Sequence, residues 1–144
     1  MTARDAIADE WFARTLESYP EVTARFVATE KDPFRNPVGN TLRSAMAALV
    51  AELLGEMNAP QVRAALDSIL QIRAVQDFTP GEAVAFVFLL RPILLAHEPS
   101  RPAMLESRID QLTLAAFDAY MHWRERIAEV RAQERRRRSG PRRA

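Results

Sequence analysis

The chain has no cysteine, four glycines, two histidines and a single lysine among its 20 basic residues. Without cysteine there are no disulfides, thiolate metal sites or cysteine nucleophiles, and the absence fits a cytoplasmic setting. So few glycines leave no room for a glycine-rich phosphate loop, and no serine–histidine motif is present. His97 and Glu98 form an isolated "HE", without the second histidine of a zinc-protease helix. No metal, cofactor or catalytic activity is therefore expected. No apolar run approaches the roughly 20 residues that span a bilayer. The best candidate, "AVAFVFLLRPILLA", is short and interrupted by Arg91–Pro92. The N-terminus, "MTARDAIADEWFA", lacks the apolar segment of a signal peptide. Sustained two-residue alternation is missing too, so no strand is expected.

What is present is apolar and helical. Hydrophobic residues make up 48% of 144, enough for one domain with its own core. Charge is uneven. Residues 131–144 hold seven arginines and one glutamate, 7 − 1 = +6, which leaves 1 − 6 = −5 for the rest of a chain of net charge +1. An acidic body carries a basic tail.

The helices can be read from their punctuation. A first helix is expected over about 3–18, with Ala6, Ile7, Trp11, Ala13, Arg14 and Leu16 tracing one face up to Pro20. Pro20 then opens a short helix with Val22, Phe26 and Val27 inward. "KDPFRNPVGN" contains a turn at Asp32–Pro33 and a helix start at Asn36–Pro37. The helix that follows buries Leu42, Met46, Leu49, Leu53 and Met57. Gly39 in its first turn is costly for a helix and suggests close approach of another backbone. The next helix starts at Pro60, with Val62, Leu66, Ile69 and Val75 inside. Arg63 with Asp67, and Arg73 with Asp77, are spaced as surface ion pairs. "DFTPGE" is a capping box: Thr79 caps, Pro80 stands first and Glu82 third. The helix it opens is apolar almost all round and is expected at the centre of the domain, kinked near Pro92.

The last helix is expected from about 102 to 136. Its apolar residues, from Leu105 through Leu112, Ala116, Ala119, Trp123 and Ile127 to Val130, approximate a heptad seam. Such a helix outruns a domain of this size. The seam from Leu112 to Val130 is therefore expected to pair two copies or bind a partner protein. Residues 1–137 are taken as the domain and 138–144 as a disordered tail. Arg135, Arg136, Arg137, Arg138, Arg142 and Arg143 suit an anionic surface or nucleic acid. No aromatic interleaves with them, which disfavours stacking on single strands.

Phe34, Arg35, Arg73, Gln76 and Asp77 lie at helix boundaries and are expected to meet at one end of the bundle. Two readings stand. One is a polar pocket offering an arginine to an anion. The other, preferred, has Asp77 capping or pairing locally and Phe34 plugging the core.

Three stretches, "DPFRNPVG", "IRAVQDFTPGEAVAF" and "FDAYMHWRERIAEVRAQERRRR", occur in an order and spacing that resemble the RsbRD N-terminal domain family. The resemblance covers about residues 5–137. It implies an all-α, compact five- to six-helix, globin-like bundle that holds no haem and dimerises. Such domains are sensory or scaffold modules of stressosome co-antagonists and related bacterial regulators. Only one long helix follows His97 and none follows His122, unlike the proximal histidine of a haem globin. No output domain follows the last helix, so a non-enzymatic adapter acting in trans is expected, with a regulatory protein partner. An accessory role in a dissimilatory sulfur-metabolism redox complex, or anion binding by the arginine tail, is the alternative.

Overall fold

Four of the helix starts among the described residues are capped by a side chain. The computed structural model describes residues 2–140, and among them there are six helices and no strand. They are α1 (Ala3–Leu16), α2 (Glu21–Thr29), α3 (Pro37–Leu54), α4 (Ala59–Val75), α5 (Pro80–His97) and α6 (Pro102–Arg138). The expected all-helical architecture with a long final helix is what forms.

The capping box at Thr79 is present: Glu82 N–H donates to the threonine hydroxyl at 3.2 Å, and Thr79 N–H donates to the Glu82 carboxylate at 2.9 Å. Thr2 and Asp5 make the same box at α1, a signal the sequence reading passed over. Asn58 caps α4, so that helix begins one residue before Pro60. Asn36 caps α3 by accepting from Gly39 N–H at 2.9 Å.

Asn36 does more than cap. Its amide donates to the carbonyls of Val27 at 2.8 Å and Glu30 at 3.0 Å, satisfying the end of α2. Gly39 makes this clasp possible. A Cβ there would lie 2.6 Å from the Val27 carbonyl oxygen, so only a glycine admits the approach.

α6 is the spine of the bundle and packs chiefly on α4 and α5; α3 packs on α1 and α4, and α1 also on α5. Trp11 of α1 donates its indole N–H to the Phe86 carbonyl of α5 at 2.6 Å, and the two rings stack at 5.6 Å. Arg108 of α6 reaches the carbonyls of Leu53 and Gly55 at 2.7 and 2.8 Å, closing the C-terminus of α3. Trp123 donates to Asp67 of α4 at 3.1 Å.

Several inward assignments need correction. α1 ends at Leu16, and its buried face is Ile7, Ala8, Trp11, Phe12, Thr15 and Leu16, with Ala13 and Arg14 outside. In α2 only Val27 is buried; Val22 and Phe26 are exposed, because this short helix touches α1 and α3 alone. Val75 of α4 is exposed, and Arg73 occupies the inward position instead. α5 is not surrounded. α1, α4 and α6 cover one side of it and leave Phe88 and Leu89 exposed. By length and composition alone α5, at 18 residues, would reach across a bilayer, beyond what its apolar run suggested. Here its buried stripe is a wall of the core, and Arg91 forms ion pairs with Glu106 at 3.4 Å and Asp110 at 2.9 Å. α5 continues through Pro92 to His97 as one helix.

Candidate functional site

Arg73 is the one charged side chain buried in the core of the described residues, at 2% exposure. The stripe Val62–Leu66–Ile69 continues by four to Arg73, so its inward phase is dictated by α4 itself. Among the described residues no carboxylate pairs with it: the expected partner, Asp77, instead accepts from Arg131 of α6 at 3.3 Å. Arg63 and Asp67 do form their expected pair, at 3.0 Å. Asp77 sits at φ 58°, in the left-handed region, and this turn carries its side chain away from Arg73.

The guanidinium is held by other means. Nη1 donates to the Glu82 carbonyl at 3.1 Å. The charge lies over the rings of Phe78 at 4.7 Å, Phe86 at 5.3 Å and Tyr19 at 5.8 Å. Burial pushes its pKa down, partly offset by Tyr19. Arginine nevertheless stays protonated in proteins. Among the described residues Nε has no acceptor, and the buried hydroxyl of Thr15 has no partner either. Arg73 and Thr15 are both among the residues that line one cavity.

That cavity measures about 360 Å³ and lies where α1, α4 and α5 meet. Phe78, Phe86 and Leu89 supply its apolar walls, and Tyr19 stands at its rim. The Glu82 carboxylate also borders it but is committed to the start of α5, where the Thr79 N–H and hydroxyl hold it below its ordinary pKa. Tyr19 donates to the Gln76 side chain at 3.2 Å. A second, smaller cavity of about 200 Å³ lies on the other side of Phe78, bordered by Asp77, Tyr120, Arg124 and Arg131.

The five residues grouped from sequence do not form one pocket. Arg73 and Gln76 reach the cavity region, the latter through Tyr19. Asp77 pairs across the chain with α6 rather than locally. Phe34 is 96% exposed and plugs nothing. Arg35 lies 4.0 Å from Glu30, on the loop after α2. Among the described residues neither Phe34 nor Arg35 shares a hydrogen bond or ion pair with Arg73, Gln76 or Asp77. Thr15, Tyr19, Phe78, Phe86 and Leu89 were not anticipated. Their only sequence signal was the arginine at an apolar phase of α4.

The seam expected on α6 divides. Leu112, Ala116 and Ala119 are wholly buried in the chain's own core, so they are closed to a second copy. Trp123 and Ile127 are partly buried against that core, and Val130 is exposed. The outward residues are instead Leu114 and Phe117. The Arg91–Asp110 pair sets the register of α5 on α6. One turn back along α5, Phe88 comes level with the turn of Leu114, with Phe117 just beyond. Past Arg131, which still reaches Asp77, the helix projects. Arg135, Arg136, Arg137 and Arg138 are helical and exposed there, whereas Arg142 and Arg143 and most of the expected tail lie outside the described residues. His97 contacts Glu10 at 3.5 Å, and His122 packs edge-on against Trp123.

The family model described as the RsbT co-antagonist protein rsbRD N-terminal domain matches residues 5–135. No curated protein and no solved structure matches the chain. The chain belongs to the RsbRD N-terminal domain family, a family of regulatory scaffold domains and not one known for catalysis.

Proposed function

We propose that this RsbRD N-terminal domain is a non-enzymatic, cytoplasmic regulatory module that works by contact, pairing with a second copy along the outer faces of α5 and α6. One observation carries this reading. Phe88, Leu114 and Phe117 are exposed beside a core that closes without them, and the Arg91–Asp110 register of α5 on α6 sets them along one strip. Arg91, Glu106 and Asp110 border the strip with charges of both signs, as the rim of an interface would. A two-fold pairing would lay one strip on its copy. The projecting end of α6, tied to the body through Trp123 and Asp77, would then carry changes in packing outward to a regulatory protein.

Light scattering on the intact chain tests the pairing. A dimer mass is expected for the native protein and a monomer mass for Leu114→Glu with Phe117→Glu, both of which leave the core untouched. A native chain that stays monomeric at high micromolar concentration would sink the pairing.

A further inference from the structure

We propose that the cavity at the junction of α1, α4 and α5 binds a small organic monocarboxylate, with Arg73 as its counter-ion. Three observations converge on it. Arg73 is a buried, permanent charge that has no carboxylate partner among the described residues, a costly arrangement unless something neutralises it. Among the described residues its Nε hydrogen and the Thr15 hydroxyl are both unpartnered, and both residues line one cavity. That cavity, about 360 Å³, falls within the size range of small-ligand sites.

The chemistry of the walls selects the ligand. A water molecule would satisfy the Nε hydrogen but not the charge. A phosphate dianion would bring more negative charge than one guanidinium offsets in an apolar site. A carboxylate matches the charge, accepts from Nε in a charge-assisted bond and offers its second oxygen to Thr15. Phe78, Phe86 and Leu89 then face the rest of the molecule, which must be apolar. The site is also wired to the long helix. Phe78 walls this cavity and the smaller one behind it, and its carbonyl accepts from the Tyr120 hydroxyl of α6. An occupied cavity fixes Phe78 and with it that contact.

Thermal unfolding of the intact chain with benzoate, hexanoate, benzamide or sodium chloride, all at matched ionic strength, tests the proposal. Benzoate or hexanoate is expected to raise the midpoint in a saturable way, and benzamide and chloride are not. In Arg73→Met the benzoate affinity is expected to fall about tenfold or more. Leu89→Trp, which fills the mouth of the cavity from a partly exposed position, is expected to abolish the response in a folded protein even if Arg73→Met folds poorly. Arg63→Met, on the surface of α4, is expected to respond like the native chain. An equal response to benzamide or to chloride would overturn the proposal. So would a response that survives in Leu89→Trp, or the absence of any response to millimolar carboxylate.

Discussion

The hydroxyl of Tyr120 donates its hydrogen to the carbonyl of Phe78, fastening the middle of α6 to the loop that walls the Arg73 cavity. Tyr120 itself is buried. Tyr120→Phe keeps the ring and removes the donor, leaving the carbonyl short of a partner. It is expected to destabilise the fold by about 1–2 kcal/mol, measured by urea denaturation. An unchanged midpoint would mean the bond contributes nothing.

Gly39→Ala tests the clasp between α2 and α3. In an ordinary helix interior the change gains about 1 kcal/mol. Here the new methyl group would collide with the Val27 carbonyl and the Asn36 side chain. The sign is expected to reverse, with a loss of about 1–3 kcal/mol from overpacking. Chemical denaturation decides between the two signs.

Glu82 predicts a pH dependence. Hydrogen bonds from the Thr79 backbone and then its hydroxyl hold the carboxyl below its ordinary pKa of 4.5. A depressed folded-state pKa contributes stability that is present above the unfolded value and lost as pH falls through the folded one. Glu82→Gln, which keeps the cap geometry without the charge, is therefore expected to flatten the stability profile below about pH 4.5, measured as thermal midpoint against pH. An acid limb identical to the native one would show that the charge adds nothing to the cap.

Much of the fold was open to reading because its signals are local. Asn36–Pro37 and Thr79–Pro80–Glu82 act within one turn of the chain, so their chemistry is complete in the sequence. The stripe of α3 from Leu42 to Leu53 is likewise periodic and was read as buried, which it is, though Met57 falls past the end of the helix; the α6 stripe is buried only as far as Tyr120. The errors fell where burial depends on what stands opposite. Phe26, Phe34 and Val75 have the composition of core residues, yet no element covers them.

The candidate site was half visible for the same reason. Arg73 and Gln76 drew notice as polar residues near a helix end. That Arg73 points inward follows from its phase on α4, four residues beyond Ile69, but a neighbouring Asp77 offered a plausible surface partner. The left-handed turn at Asp77 diverts that carboxylate to Arg131, 54 positions away in the chain. Nothing local announces such a pairing.

The amino-acid order alone determined the helices, their caps and the lack of any catalytic motif, since these rest on contacts spanning three or four residues. Tertiary packing decided which apolar faces close and which stay open. It left Arg73 without a carboxylate and gathered Thr15, Phe78 and Phe86 around it, because a cavity exists only between helices whose mutual placement no single segment specifies.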